Sequence, residues 1–418
     1  MTARSTAWIQ SPQHGGTTTS RPRPPIDWSA RFSPSSSRPK PYAAHLAPRP
    51  SPLRPHCHAR ERLLLWKPLP SEANTNFSPT SRRLVFNVLS RSLAPGTLET
   101  YGSGLLLFHV ICDTHSIAEH ARAPAGKNVI ALFIAELVGR YSESAIRNAV
   151  AAVRAWHVLH RHLWSPNDAE VDALIRAAGK EAPRRKPIRN AFDMDTLSLL
   201  VAKLSPSVPL DAAVTAALLV GFWGTARLGE LLPKTLQGAH GFDASRCVTV
   251  SNLRHSCDDQ GNPISVLHLP CTKVEPVVGE DIYWAPRADF SDATSALQRH
   301  FSLNAPTPSS HLFAYIDKHR KLKTLTKTAF LARLTAAAAA AGLPAPQGHS
   351  IRISSTTHYL LHGLSFDAMR VKGRWASNAF TLYLRRHAEI MAPYLQERPG
   401  VHLDILSRTA VLPPTARR

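Results

Sequence analysis

Residues suited to phosphate chemistry gather near the end of the chain: His349 and Arg352 in "HSIR", Arg374 and Trp375 in "GRW", and Tyr383 in "FTLYLRR". A phosphodiester under attack collects negative charge on its non-bridging oxygens, and preorganised cationic donors offset that charge. Arginine fits because its planar fork matches phosphate oxygens and its charge is permanent. Another arginine, Arg227, stands upstream in "TARLGELLP" at 225–233. Glu230 follows it by three residues, on the same helical face, and is placed either to orient that arginine or to make a routine surface pair. His349 precedes Arg352 by three, so both share a face at a helix start, where free N–H groups favour anions. Imidazole can accept or donate a proton near neutral pH. Lys273, in "LPCTKVEP" at 269–276, sits at a turn, and its adaptable pKa suits it to protonate a leaving oxygen. Tyr383 is the candidate nucleophile. A phenol titrates near ~10, so nearby arginines and a proton acceptor must favour the phenolate. Tyr359, on the "HSIR" helix, and Tyr394, after Pro393, are the other tyrosines in reach. The sequence shows no clustered acids that would hold Mg²⁺ for a two-metal nuclease, so neither metal nor cofactor is expected. "HCH" at 56–58 lacks a second ligand pair at zinc spacing.

Helices and one small sheet must position these groups. Helices are expected at 193–204 and 211–223, strands at 247–253, 264–270 and 281–286, and a further helix over "KTAFLARLTAAAAAAG", stopped by Gly342. The C-terminal stretch reads as helices at 350–362 (stopped by Gly363), 366–372 (capped by Ser365) and 378–390 (capped by Ser377). Upstream, 83–180 reads as helical. Thr97 is a cap after the Pro95–Gly96 turn, "KNVIALFIAELVGR" ends near Gly139, and Ser142 or Ser144 opens "SESAIRNAVAAVRAWHVLHRHL". In that last helix Ile146, Ala149, Val150, Val153, His157 and Leu163 follow a 3.6-residue period. Arg147, Arg154 and Arg161 recur every seven residues, a basic stripe suited to a DNA backbone or to a solvated face.

The chain has 418 residues, 50 Lys+Arg against 29 Asp+Glu, and a formal net charge of +21. Such an excess points to a polyanionic partner, nucleic acid first. The longest apolar run, "AAVTAALLVGFW" at 212–223, is too short for a bilayer and reads as a buried helix, so no membrane role is expected. The N-terminus lacks the apolar core of a secretory signal. Five scattered cysteines suit reduced thiols in a cytosolic or nuclear protein. The first sixty residues hold eleven prolines and a single acid, Asp27. Proline removes a backbone donor and fixes φ, so 1–82 is expected to be a disordered tail. Such a Ser- and Arg-rich start also fits a transit peptide, but the prolines oppose the amphipathic helix one needs. The segment 181–190, with Arg184, Arg185 and Lys186, reads as a basic linker that could lie across DNA or serve as a nuclear localisation signal.

Taken in order, "TARLGELLP", "LPCTKVEP", "HSIR", "GRW" and "FTLYLRR" resemble the tyrosine recombinase (phage-integrase-like) family. "GRW" and the small residues after "HSIR" are more similar to integrase-like proteins of eukaryotic mobile elements, including fungal ones. The resemblance spans about 83–395. It implies a mostly α chain: a helical core-binding (SAM-like) domain at 83–180 that clamps DNA, then a mixed α+β catalytic domain at 191–400 with a small antiparallel sheet, and a short tail at 401–418. It implies double-stranded DNA as partner and metal-independent strand cleavage and transfer through a 3′-phosphotyrosine. It also implies tetramers on two duplexes that exchange C-terminal segments, and a nuclear location in a eukaryote or a place with the DNA in the cytoplasm otherwise. Arg227, Lys273, His349, Arg352 and Tyr383 fill the family's catalytic positions. One position departs: the family has His or Trp nine residues before the tyrosine, where this chain has Arg374, with Trp375 eight before. Two rival functions share the signature, a DNA-binding relative that does not cut and a type IB topoisomerase. A third class, a helical scaffold that binds RNA, uses the charge without the chemistry.

Overall fold

A computed structural model describes residues 38–70, 78–183, 191–236, 242–377, 380–381 and 385–395. The chain divides into two compact units, Met1–Lys186 and Pro187–Arg418.

The first unit is helical: α1 (Ala59–Leu65), α2 (Pro79–Ser90), α3 (Pro95–Thr114), α4 (Lys127–Leu137), α5 (Glu143–Leu159) and α6 (Asp168–Lys180). Two glycines explain how α3 is gripped. A Cβ on Gly102 would lie 1.7 Å from the Ala59 carbonyl oxygen, and one on Gly104 would lie 2.8 Å from Ala149 Cα. Bare backbone at "GSG" thus lets α1 and α5 press onto α3. The helix starts at Pro95 rather than after Thr97, because a proline at the first helical position needs no partner for its missing N–H. Ser142 caps α5 through the Ala145 N–H. His157 is fully buried within the core, accepting from the Ala125 N–H at 2.9 Å, and burial pushes its pKa down to about 4. Leu163 lies past the end of α5 and is exposed.

The expected tail at 1–82 needs correction. Residues 38–70 are folded into the first unit, with Cys57, Leu63, Leu64 and Trp66 in its core. Trp156 Nε1 donates to the Trp66 carbonyl at 2.7 Å, and Arg54 pairs with Asp113 and Glu119. The prolines forbid regular structure around α1 but not the docking of "ERLLLW", whose apolar side chains have a core to enter. "HCH" is structural here: His58 caps α1, His56 meets the Lys40 carbonyl, and Cys57 is buried. All five cysteines are free thiols.

The second unit wraps helices around α8 (Pro209–Trp223), which is buried on every side and therefore apolar all round. α7 (Met194–Ala202) precedes it and the short α9 (Leu228–Leu231) follows. Then come β1 (Leu253–Cys257), β2 (Pro263–Leu269) and β3 (Glu280–Trp284), an antiparallel sheet in that order. Leu267, Leu269, Ile282 and Trp284 point to the core, while edge strand β1 is polar. The expected strand at 247–253 is displaced. Asn252 Oδ1 accepts from the Thr249 N–H at 2.7 Å and closes a 3₁₀ turn, so pairing begins only at Leu253. The rest comprises α10 (Ala293–Asn304), the short pair β4 (Tyr315–Ile316) and β5 (Leu322–Lys323), α11 (Lys327–Ala340), α12 (Gly348–Leu361), α13 (Phe366–Lys372) and α14 (His387–Met391). The architecture is mostly α with a small antiparallel sheet. No described helix is long and apolar enough to cross a membrane.

The continuous helix expected at 378–390 is also corrected. Arg386 takes a left-handed backbone (φ 56°) with its guanidinium held by Glu389, and α14 starts only at His387.

Candidate active site

The site forms where two helices of the second unit end. After α8 the chain turns through Gly224, Thr225 and Ala226 to Arg227. The Thr225 N–H donates to the Phe222 carbonyl at 3.1 Å and the Ala226 N–H to that of Gly221 at 3.0 Å. After α13 it turns through Gly373, Arg374 and Trp375 by the same pair of closing bonds, to Val371 at 2.9 Å and Arg370 at 3.1 Å. Such turns need a left-handed residue, for which glycine is the usual choice. Helices α11 and α12 use Gly342 and Gly363 there. In both site turns, glycine instead comes one position early, leaving Thr225 (φ 49°) and Arg374 (φ 56°) in the left-handed region. Packing explains the shift. A Cβ on Gly224 would lie 2.8 Å from Ile282 Cδ1, and one on Gly373 would lie 1.6 Å from the Trp375 ring. Each left-handed side chain costs roughly 1–2 kcal/mol, so the surroundings must hold both turns.

Arg352 does much of this holding. It has no exposed surface, and it donates from Nη1 to the Thr225 carbonyl at 2.6 Å and from Nη2 to the Gly373 carbonyl. Its guanidinium lies 4.2 Å from the centre of the Trp375 ring, a favourable seat for a buried cation. Helix α12 can bring an arginine this deep because Ser354, Ser355, Thr356 and Thr357 make its buried turn slim all round, with Ser355 bonded to Thr225 at 2.8 Å. One buried cation thus braces the turn leading to Arg227 and the turn carrying Arg374.

The two outer arginines meet at Glu230. Arg227 caps α9; its backbone N–H donates to Glu230 Oε2 at 2.9 Å and its Nη1 to Oε1 at 2.8 Å. Arg374 Nη2 donates to Oε2 at 2.7 Å, with the side chains of Arg374 and Glu230 7% and 6% exposed. Burial pushes the Glu230 carboxyl up, but Arg374 and Arg227 outweigh it and hold the pKa below its ordinary value. Glu230 is therefore a shared seat for two guanidinium groups. Arg374 joins the carboxylate cluster, and Trp375 is the buried plate beneath Arg352.

His349 lies half-buried in the first turn of α12, beside Gly348, where a Cβ would lie 2.9 Å from Leu228 Cδ2. The start of α12 thus packs on α9. Lys273 is exposed in the turn between β2 and β3. Glu280, at the start of β3, was not among the sequence candidates. Its Oε2 lies 3.7 Å from Arg374 Nη1 and accepts from Thr272 Oγ1, one residue before Lys273. Lys372 was missed too. Its ammonium donates to the Tyr283 carbonyl at 3.0 Å and lies 4.5 and 4.8 Å from the Tyr283 and Tyr359 rings; burial, then Arg374, lowers its pKa to about 8. Nothing in the sequence marks either residue apart from other acids and lysines, because their partners are remote in sequence. Tyr383 lies outside the described residues, as do Arg184, Arg185 and Lys186. Tyr359 donates its hydroxyl to the Trp223 carbonyl at 3.0 Å, and burial raises its pKa, so it is a structural group.

In the first unit the basic stripe is broken. Arg147 pairs with Asp172 at 2.7 Å and Glu143 at 3.2 Å, and Arg154 with Asp168 at 3.0 Å. Arg161 lies beyond α5 in a left-handed turn (φ 62°), so it does not extend the helix face. Heptad spacing alone does not reveal that α6 brings carboxylates alongside.

Solved structures are similar to the chain. XerA recombinase is 14% identical, covering 77% of this chain and 100% of that one, with a TM-score of 0.36. A lambda integrase dimer bound to a COC′ core site is 14% identical, over 73% and 97%, at 0.39. The XerH site-specific recombinase, bound to a palindromic difH substrate in a post-cleavage complex, is 14% identical, over 78% and 87%, at 0.47. No protein-family model and no curated protein matches the chain. By name these three neighbours are two recombinases and an integrase.

Proposed function

We propose that the chain breaks and rejoins DNA through a tyrosyl intermediate, in site-specific recombination or integration of a mobile element, acting in the nucleus if its host is a eukaryote and otherwise with the DNA in the cytoplasm. The observation that carries this reading is the Glu230 cluster. Arg227 and Arg374, far apart in sequence, share one carboxylate, while Arg352 fixes the turns that bear them. A phosphate arriving there meets the part-exposed Arg227 fork, fixed through Glu230 against the buried Arg374 before it binds, the condition for stabilising charge that develops on non-bridging oxygens. His349 at the start of α12 is the proton carrier of the set, and Lys273 the donor to the leaving 5′ oxygen. Tyr383 attacks phosphorus and the P–O5′ bond breaks. The products are a 3′-phosphotyrosine and a 5′-hydroxyl, and reversal by another 5′-hydroxyl rejoins the strand. Double-stranded DNA is the partner, with four copies of the chain on two duplexes.

The test is trapping on nicked suicide duplexes with randomised flanks, where the small 5′ fragment diffuses away after cleavage. The wild-type chain is expected to become covalently attached and Tyr383→Phe is not. Absence of adduct from the wild type, with duplex binding intact, would leave the second reading, a relative that binds DNA without cutting. One observation favours that reading: both Nη groups of Arg352 already serve main-chain carbonyls.

A further inference from the structure

We propose that Glu280 and Thr272 are positioning residues that tie the Lys273 turn to the arginine cluster, so that the proton donor and the phosphate seat are held as one piece. The proposal rests on the functional reading above. Lys273 itself is exposed and lies in the ten-residue connection from β2 to β3, a place where an unanchored side chain would range widely. The connection, however, is anchored at both flanks of the lysine. On one side Thr272 is buried; its N–H donates to the Glu275 carbonyl at 3.1 Å and its Oγ1 accepts from the Glu275 N–H at 2.9 Å. That closes a tight turn around Lys273 and Val274. The Thr272 hydroxyl proton goes to Glu280 Oε2. On the other side Gly279 is left-handed (φ 80°), and a Cβ there would lie 2.1 Å from the Leu269 carbonyl oxygen, so the returning chain is pressed against the end of β2.

The oxygen that accepts from Thr272 is also the one that faces Arg374 Nη1 at 3.7 Å, and Arg374 holds Glu230 through its other nitrogen at 2.7 Å. A continuous path therefore runs from Arg227 through Glu230, Arg374 and Glu280 to Thr272, with Lys273 next along the chain. Carboxylates on both sides of Arg374 fix its orientation, and the Glu280 carboxylate sets the height of the Lys273 turn against that guanidinium. The cost of losing such a link is misplacement of the donor rather than loss of charge at the phosphate, and a misplaced donor slows the step that needs its proton.

Leaving-group chemistry separates these two effects. A 5′-bridging phosphorothiolate departs as a thiolate that needs no proton, so a defect in proton donation disappears on that substrate, whereas a defect in the phosphate seat persists. The experiment uses suicide duplexes with randomised flanks carrying either a normal or a 5′-bridging sulfur linkage at the cleavage position, and compares wild type, Lys273→Ala, Thr272→Val, Glu280→Ala and Glu280→Gln by rate of covalent adduct formation. On the normal linkage, Lys273→Ala is expected to fall by about 100-fold or more and Thr272→Val and Glu280→Ala by about 10-fold or more. Glu280→Gln, which keeps an oxygen acceptor for Thr272, should retain more rate than Glu280→Ala. On the sulfur linkage Thr272→Val should recover with Lys273→Ala to near the wild-type rate, and Glu280→Ala at least in part. Thr272→Val leaves Arg374 untouched, so it keeps the test open if Glu280→Ala unfolds. Failure of Thr272→Val to slow the normal linkage, or to recover on sulfur while Lys273→Ala does, overturns the link. A wild-type chain that forms no adduct on either linkage overturns the functional reading, and the link with it.

Discussion

Arg147 and Arg154 in the first unit are about half exposed, each leaning on a carboxylate within reach of water; Arg352 and Arg374 in the second are buried. The same side chain does different work in the two settings. In water an arginine–carboxylate pair contributes ~0–1 kcal/mol and exchanges partners readily. Out of water, breaking such a pair strands a charge, so the partners fix each other's positions. Along α5 the first unit therefore carries replaceable charge, while its buried charge, Arg54 and Arg122 on Asp113, lies away from that face. In the second, charge is part of the core, and two left-handed turns depend on it.

The comparison breaks most visibly at Arg352. Arg352→Ala should remove two charge-assisted bonds and leave the Thr225 and Gly373 carbonyls without their donor, at a cost of about 3–5 kcal/mol. Urea unfolding is expected to show the loss directly. A cost below about 1 kcal/mol would mean the turns hold without their brace. Arg352→Lys should recover little, since one ammonium cannot span both carbonyls in a plane.

Next comes the shared carboxylate. Glu230→Gln keeps the shape of the seat but not its charge, and should cost about 2 kcal/mol at neutral pH. The pH dependence follows from the lowered folded pKa. The ionised carboxylate stabilises the fold fully above its unfolded value near ~4.3, and that contribution is lost as pH falls through the still lower folded value. The gap between wild type and Glu230→Gln should stay level from pH 7 to about 5 and close below about 4. Urea melts across that range measure it. A gap that closes already near pH 6 would show that the arginines do not hold the carboxyl down.

These two predictions also mark what can be read from one sequence. Arg227, Glu230 and Arg352 announce themselves by short spacings, and a three-residue step on a helix is a contact in any fold. The caps at Ser142 and Ser365 and the stops at Gly342 and Gly363 are equally local. Glu280 reaches Arg374, and Lys372 reaches Tyr283, across about ninety residues, which no local pattern encodes. At Gly224 and Gly373 the left-handed conformation falls one residue later, because the crowding of Ile282 and Trp375 leaves no room for a side chain at the glycine, and no local pattern shows that. Composition misleads at the start of the chain, where prolines suggest disorder across a segment whose few apolar residues fill a core. The missed α6 carboxylates have the same origin: Asp168 and Asp172 face Arg154 and Arg147 only because α6 folds back alongside α5.

The smallest effect sharpens the comparison from the exposed side. Arg147→Gln should change stability by no more than about 0.5 kcal/mol, because its pairs with Asp172 and Glu143 are surface pairs. Its effect on DNA is informative in a different way. If Arg147 leaves its carboxylates for a phosphate when duplex binds, the variant should lower the slope of log affinity against log salt by about 1, uniformly across sequences. Asp172→Asn then provides the converse. Removing one of the two competing carboxylates loosens Arg147, with Glu143 still in place, and is expected to tighten duplex binding by about twofold to fivefold, the size of one surface pair. Fluorescence anisotropy on a random-sequence duplex, titrated at several salt concentrations, measures both. A slope unchanged in Arg147→Gln, with no tightening in Asp172→Asn, would show that α6 keeps the guanidinium for itself. The first unit would then meet DNA, if it does, through groups other than this arginine.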